Sequence, residues 1–136
     1  MALHALLYAS RALVAGAAAD IAVEDIVRIS RGRNDALDVT GALLFSGGHF
    51  AQWLEGSAEN VEALMHSITR DPRHTDIVIL EAGPAAARRF PDWTLAYAGR
   101  STFVDGALAA ALAGGPADDP RRTRRVLSLL EGFAAV

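Results

Sequence analysis

The feature that most constrains this chain is a pair of apolar runs joined by two adjacent glycines. The first run is Val39 to Phe45, the second is Phe50 to Glu55, and Ser46-Gly47-Gly48-His49 lies between them. Tight hairpin turns need positive φ angles, which glycine adopts without steric cost. The sequence therefore predicts a β-hairpin around which the rest of the chain is organised.

Gln52 is the unusual residue of this hairpin. Alternate residues of a strand share a face, so Gln52 lies with Phe50 and Leu54, and Trp53 lies with Glu55 on the other side. A buried carboxamide needs hydrogen-bond partners, and each unpaired group costs roughly 1–3 kcal/mol. We therefore expect Gln52 to have a specific hydrogen-bond partner, either a protein group or a ligand. The alternative is that this face is exposed to solvent and that water hydrates Gln52.

Length and composition limit the classes of protein that fit. The chain has 136 residues, which favours one domain, and its net charge of -3 gives no broad basic surface for nucleic acid. Without cysteine there are no disulfides and no thiolate chemistry, which is compatible with the cytoplasm. No apolar run reaches the roughly 20 residues of a membrane span, and the start lacks the basic segment of a signal peptide.

The other elements follow from periodicity and from capping residues. After the first strand and helix comes the hairpin, then a helix that Ser57 caps and Asp71-Pro72 ends. The predicted elements outside the hairpin are strand Leu3 to Ser10, helix Ala17 to Arg33, the helix after Ser57, strand Ile77 to Glu81 and strand Trp93 to Ala98. The order β-α-β-β-α-β-β predicts a ferredoxin-like α+β sandwich, with both helices on one face of a mixed sheet. Asn34 is placed after the first helix, in the connection to the hairpin.

The composition changes after Ser101. A short helix is predicted over Ala107 to Ala113, a break at Gly114-Gly115-Pro116, and a last helix capped by Asp119 with Pro120 at its first position. The apolar stripe of that helix is Val126, Leu129, Leu130 and Phe133. We expect these helices to pack on the sheet face opposite the first two helices.

Generic active sites find little support. The four histidines, His4, His49, His66 and His74, lack metal-ligand spacing, so no metal site is predicted. There is no glycine-rich phosphate loop before a helix and no nucleophile motif. The remaining candidate site is an apolar groove between the two helices, into which Tyr8, Asn34, Gln52 and Arg73 are expected to point. An apolar groove with a small number of polar groups is typical of a cofactor site.

At this point five segments carry a resemblance to the BLUF domain, the blue-light sensor that uses flavin. They are LLYASR with Tyr8, NDALDVTGALLF from Asn34, FAQWLEG with Gln52, RDPRH from Arg70 and RRFPDW with Trp93. They follow the family's order and spacing over about residues 1 to 98. Each segment alone is a weak signal, and the five together are specific.

The resemblance implies roles for individual residues. Tyr8 matches the photoactive tyrosine, and Gln52 matches the glutamine between that tyrosine and the flavin. Asn34 matches an asparagine that hydrogen-bonds the flavin ring, and Trp93 matches a tryptophan of the last strand. The residues expected to bind the cofactor are Tyr8, Ser10, Ser30, Asn34, Gln52, Asp71, Arg73 and His74. The expected cofactor is FAD, for which FMN or riboflavin would substitute.

The implied mechanism is a photocycle without covalent attachment to the protein. Tyr8 gives an electron and then a proton through Gln52, whose amide rearranges by rotation or tautomerisation, and the absorption moves to the red. Two positions depart from the family pattern. Leu95 stands where methionine is common, which affects the expected relay from the flavin to the sheet edge, and Arg33 stands where other members have varied polar residues.

The predicted protein is therefore a sensor and not an enzyme. Residues 1–98 form the flavin-binding domain, and residues 99–136 form a helical cap and output segment. The expected partners are flavin, a second copy of the chain in a homodimer or larger homo-oligomer, and an unknown downstream protein. One alternative is an acylphosphatase-like hydrolase, although Ala9-Ser10-Arg11-Ala12 lacks the glycines of an anion loop. Another is a flavin-free ligand-binding or assembly domain, and the colour of the purified protein separates these three hypotheses.

Overall fold

The computed structural model describes residues 2–113 and 120–135. The elements in chain order are β1 (Leu3–Ala12), α1 (Gly16–Ala36), β2 (Thr40–Phe45), β3 (His49–Gly56), α2 (Ala58–Thr69), β4 (His74–Ala85), β5 (Trp93–Ala98), α3 (Thr102–Leu112) and α4 (Pro120–Ala134). The strands form one sheet in the order β4-β1-β3-β2-β5. All neighbours are antiparallel except β2 and β5, which confirms the predicted mixed sheet and ferredoxin-like order.

The hairpin of β2 and β3 forms as predicted. Phe45 pairs with Phe50, and Gly47 in the turn has a φ of 101°, a conformation that glycine adopts without strain. Gly41 is needed for a different reason, because a Cβ there would lie 1.8 Å from the carbonyl oxygen of Trp53. The two strands therefore approach each other too closely at this point for any side chain.

The hairpin divides its side chains between two cores, one on each face of the sheet. On the first face, α1 and α2 pack through Val23, Val61, Leu64 and Met65 against Leu6, Leu43 and Leu54 of the strands. Ser57 caps α2 as predicted, because its side chain accepts a hydrogen bond from the Asn60 N–H at 3.2 Å. This first face also carries Tyr8, Gln52 and Trp93 and is therefore the one that matters for function.

The second face is covered by α3 and α4, which confirms the predicted packing of the C-terminal helices. Val104, Leu108, Val126 and Leu130 are buried against Leu7, Ala51 and Trp53. Asp105 joins α3 to the hairpin turn, since its Oδ1 accepts hydrogen bonds from Ser46 Oγ at 2.6 Å and Gly48 N at 3.0 Å and lies 2.8 Å from His49 Nδ1. Burial opposes ionisation there, but the bonds from Ser46 and His49 hold the pKa of Asp105 below its usual value.

Several predicted boundaries differ from the structure. Asn34 does not follow the first helix but lies in its last turn, because α1 continues to Ala36 and ends with backbone bonds from Leu37. The third helix begins at Thr102 and not at Ala107, since the Ser101 side chain caps it by accepting from Val104 N–H at 3.2 Å. β4 is longer than Ile77 to Glu81 because its pairing with β1 extends in both directions. The predicted break at Gly114-Gly115-Pro116 and the cap at Asp119 lie outside the described residues.

Candidate functional site: a cleft between the first two helices

A cleft opens between α1 and α2 over the middle of the sheet. It encloses about 550 Å³ of empty space, part of it open to solvent. Its apolar lining is Ile26, Ile29, Leu43, Phe50 and Ile68, and its polar lining is Tyr8, Ser30, Arg33, Gln52, Ser67, Asp71, Arg73 and His74.

A chain of buried hydrogen bonds crosses the floor of the cleft. Gln52 Nε2 donates to the Tyr8 hydroxyl oxygen at 2.8 Å, and Trp93 Nε1 donates to Gln52 Oε1 at 3.0 Å. The pairing of the strands causes this arrangement, because Tyr8 of β1 and Leu43 of β2 both stand directly opposite Gln52 of β3. Gln52 is 5% exposed, which excludes the alternative of a solvated glutamine on a wet face.

The environment of Tyr8 fixes the protonation state of its hydroxyl. Burial raises the pKa of the Tyr8 hydroxyl well above its usual value, and the hydrogen bond from Gln52 only partly offsets this. Tyr8 is therefore a neutral phenol at neutral pH. A neutral phenol retains a proton that it can give away when it is oxidised.

The orientation of the Gln52 amide is determined by its two neighbours. The Trp93 indole has a donor and no acceptor, so it pairs only with the oxygen of the amide. Rotation of the amide by half a turn would place its NH₂ group against the Trp93 N–H, where two donors would meet. Trp93 thus stabilises one orientation of Gln52, and the amide cannot turn over without a movement of the indole.

The mouth of the cleft is closed on one side by a set of ion pairs. Arg73 contacts Asp71 through Nη2 at 2.6 Å and Asp25 of α1 through Nη1 at 3.1 Å. These contacts connect α1 to the turn that follows α2. Burial opposes ionisation of Asp71, but the bonds from Arg73 keep the pKa of this carboxyl below its usual value, so the pair is charged.

His74 connects the same turn to the sheet. Its Nδ1 lies 2.7 Å from Ser10 Oγ, and its Nε2 lies 2.6 Å from the carbonyl oxygen of Ile68. A carbonyl oxygen only accepts, so Nε2 carries a proton and donates to Ile68, while Nδ1 shares a hydrogen bond with the Ser10 hydroxyl. The His74 ring also packs edge-on to Tyr8, with 6.2 Å between the ring centroids.

Two buried polar atoms beside the cleft have no hydrogen-bond partner among the described residues. They are Nε of Arg33 and Oδ1 of Asn34. Buried polar groups in folded proteins are nearly always paired, so such atoms indicate a missing partner. A flat ring system with hydrogen-bonding edges between apolar walls would supply such a partner, and the isoalloxazine ring of a flavin has this shape and chemistry. The apolar walls of the cleft and these unpaired polar atoms therefore fit a flavin, the cofactor that the sequence predicted.

The predicted residues take different places around this site. The cleft brings together Tyr8, Ser30, Gln52, Asp71, Arg73 and His74. Ser10, Asn34, Trp93 and Leu95 do not line it but lie behind its wall; Ser10 and Asn34 are fully buried, and Leu95 is partly buried in the first-face core. Sequence reasoning missed Ile29, Arg33 and Ser67. Helical spacing from Ser30, at i+3, would have drawn attention to Arg33.

A cleft over the centre of a ferredoxin-like sheet, lined by a hydrogen-bonded tyrosine and glutamine with a tryptophan bonded to that glutamine, defines a ligand-binding domain. The family described as "BLUF: Sensors of blue-light using FAD" matches residues 3–96. The chain belongs to this BLUF family of flavin-binding blue-light sensors, which confirms the resemblance.

Individual relatives agree with this assignment. The chain is 50% identical over 68 residues to the blue light- and temperature-regulated antirepressor BluF of Escherichia coli K12, covering 50% of this chain and 17% of that protein. It is 42% identical over 74 residues to the photoactivated adenylate cyclase subunit beta of Euglena longa, covering 54% of this chain and 9% of that protein. The chain thus spans less than a fifth of these curated relatives.

Solved structures match over nearly the whole chain. The dark-state structure of the BLUF protein BlrB superposes with a TM-score of 0.72 at 34% identity and covers 99% of this chain and 98% of that chain. The photo-activated state of BlsA gives a TM-score of 0.75 at 25% identity, over 95% and 94% of the two chains.

Within residues 2–113 and 120–135 no helix is long and apolar enough to cross a membrane. The same residues contain no cluster of His, Asp and Glu suited to a metal ion.

Proposed function

We propose that this chain binds FAD in the cleft between α1 and α2 and that blue light switches the hydrogen bonds of Gln52. The observation that carries the proposal is the buried chain from Tyr8 through Gln52 to Trp93. A carboxamide held between one residue that can lose a proton and one that can only donate has two distinct bonding patterns. A group with two such patterns, buried beside a light-absorbing cofactor, is suited to act as a switch.

The roles of the residues follow from their contacts. Bound flavin supplies the absorption of blue light and, once excited, an oxidant. Tyr8 is an oxidisable side chain that lines the cleft, and burial keeps its proton in place until an electron leaves. Gln52 is the hydrogen-bond partner of Tyr8, and the proton that oxidised Tyr8 releases would pass by way of the Gln52 amide to the flavin that took the electron. The rearranged amide then presents a different edge to the cofactor and to Trp93.

The cofactor is oriented by the polar groups at the edges of the cleft. Arg33, Asp71, Arg73 and His74 line the cleft. Asn34 does not line it, but its buried Oδ1 has no partner among the described residues, and the family resemblance assigns it a hydrogen bond to the ring. The chain has no glycine-rich phosphate loop, so the ring and not the phosphate tail is held. We therefore expect FMN or riboflavin to replace FAD with little loss of binding.

The test is the spectrum of the purified protein before and after blue light. We expect a yellow protein with non-covalent flavin, whose absorption shifts reversibly to longer wavelength on illumination. Extraction of the flavin and its chromatography would identify FAD, FMN or riboflavin. A colourless protein that takes up none of the three on refolding would contradict the proposal and would favour the flavin-free alternative.

Asn34→Ala is expected to weaken flavin binding. The substitution removes one hydrogen bond to the ring, which corresponds to about 1 kcal/mol, or roughly fivefold in the dissociation constant. Titration of refolded apoprotein with riboflavin measures the effect without the phosphate tail. Asp35→Ala, at the exposed next position of α1, is the matched control. Unchanged affinity together with a lower melting temperature would mean that Asn34 only stabilises the helix end.

The remaining assignments concern the whole protein. Residues 1–98 would form the photosensor and residues 99–136 a cap that passes the signal to a separate protein, in a homodimer or larger homo-oligomer. The cap supports this division because it covers the sheet face opposite the cleft. We place the protein in the cytoplasm, where flavin is available and cysteine-free chains are common. Size-exclusion chromatography with light scattering, in dark and light, tests the assembly.

A further inference from the structure

Glu55 is a buried carboxyl group that the proposed photochemistry does not use. It lies on β3, three residues after Gln52 and on the opposite face, and its side chain is 0% exposed. Four donors surround it. Its Oε1 accepts from Trp53 Nε1 and Arg89 N, each at 2.9 Å, and its Oε2 accepts from Phe90 N at 2.7 Å and Thr40 Oγ1 at 3.5 Å.

Two of the four donors that Glu55 binds lie on the segment that leads into β5. Arg89 and Phe90 give their backbone N–H groups, and β5 begins three residues later at Trp93. Arg88 strengthens the same attachment, because its Nη1 donates to the carbonyl oxygen of Glu55 at 3.0 Å and to Thr40 Oγ1 at 2.8 Å. The segment 88–90 is therefore bound to Glu55 by both its side chain and its backbone, in addition to the contacts of Arg88 with Asp38 and of Arg89 with the Trp53 ring.

The chain that leads into β5 thereby connects the two faces of β3. On the first face Gln52 accepts from Trp93, and on the second face Glu55 holds the backbone just before Trp93. The position of the Trp93 indole relative to Gln52 depends on where β5 begins. Parallel pairing of β5 with β2 is regular from Trp93 to Leu95, and Gly41 N–H donates to the Asp92 carbonyl oxygen at 3.1 Å. Glu55 holds the chain on the other side of Asp92, at residues 89 and 90, which this pairing does not reach.

We propose that Glu55 is a positioning residue for the photoswitch: by holding residues 89 and 90 it sets Trp93 in hydrogen-bonding distance of Gln52. The inference rests on the proposed function, since it assigns Glu55 a role in the Gln52 switch. It differs from a purely structural role, in which Glu55 would satisfy buried donors and contribute stability only. The two roles differ in what happens at Trp93 when Glu55 is changed.

The discriminating variant is Glu55→Gln, which keeps the shape of the side chain. In glutamine an NH₂ group replaces one of the two carboxylate oxygens. This NH₂ donor then faces at least one other donor, which is the backbone N–H of Arg89, the backbone N–H of Phe90 or the indole N–H of Trp53. We expect the segment to detach and the Trp93 indole N–H to exchange with solvent at least about fivefold faster, the effect of losing roughly one hydrogen bond. NMR observes this directly, because the chain has two tryptophans and Trp53→Phe assigns the two indole signals.

Two controls separate positioning from stability. Leu108→Ala opens the core of the same face but removes none of the hydrogen bonds of segment 88–90, and Glu131→Gln removes only the exposed 3.7 Å pair with Arg89. Neither control should accelerate exchange of the Trp93 indole in protein that remains folded. The proposal is overturned if Glu55→Gln accelerates exchange at the Phe90 amide but not at Trp93, or if Leu108→Ala accelerates Trp93 as strongly.

A second measurement follows the switch itself. If Trp93 stabilises the dark orientation of Gln52, Glu55→Gln should change the rate of dark recovery after blue light by about fivefold or more, again the effect of roughly one hydrogen bond. Its flavin dissociation constant should stay unchanged, because Glu55 lies on the face opposite the cleft. Absence of any light-induced shift in the unmodified protein would refute the proposed function, whereas the indole exchange tests the role of Glu55 independently of it. Recovery and exchange that both equal those of Glu131→Gln would refute the positioning role.

Discussion

Gln52→Leu is expected to abolish the light-induced red shift and to leave the flavin bound. Leucine fills nearly the same space within the first-face core but offers neither donor nor acceptor. Tyr8 and Trp93 then lose the partner that they share, and the carboxamide whose hydrogen bonds rearrange is gone. Difference absorption spectra before and after blue light measure the effect, and the yellow colour shows that the cofactor is retained.

Tyr8→Phe is the matched variant for this experiment. It removes one hydroxyl from the same hydrogen-bond chain but leaves the Gln52 amide and its bond from Trp93 in place. We expect it to lose the red shift as well, because the group that supplies the electron and the proton is gone. A normal shift in Gln52→Leu would mean that Gln52 is not the switch. A normal shift in Tyr8→Phe alone would transfer the donor role to Trp93.

Removal of residues 101–136 is expected to make the protein aggregate. The deletion uncovers the second face of the sheet, including Leu7, Leu44 and Trp53, each at most 2% exposed in the full chain. A continuous apolar sheet face of this kind promotes association. Soluble yield and light scattering measure the outcome. A soluble, monomeric and yellow truncated protein would show that the photosensor does not need its cap.

A point substitution gives a graded form of the same test. Leu130 of α4 is 0% exposed, and Leu130→Ala should lower the free energy of unfolding by about 2–5 kcal/mol through lost burial and a cavity. Ser128→Ala, at an exposed position of the same helix, is the control and should change it by less than about 0.5 kcal/mol. Equal effects of the two substitutions would mean that α4 is not packed on the sheet.

The predictions from sequence succeeded where local pattern and sequence spacing carry the information. The hairpin, the last strand and the Ser57 cap follow from turn chemistry, alternation and capping, and the structure places them as expected. The division of the hairpin into a face with Gln52 and a face with Trp53 also follows, because the period of a strand leaves no other arrangement. The errors concern the ends of elements, where tertiary contacts extend a helix or strand beyond its local signal, as at Asn34 in α1.

By itself, the sequence determined the class of the protein, the order of its elements and the family to which it belongs. Only the tertiary structure decided which residues meet. Trp93 is 41 residues from Gln52 and Phe90 is 35 residues from Glu55, so no local pattern predicts that these pairs bond. Such contacts depend on the register of strands that are distant in sequence, which is set by the packing of the whole sheet between its two layers of helices.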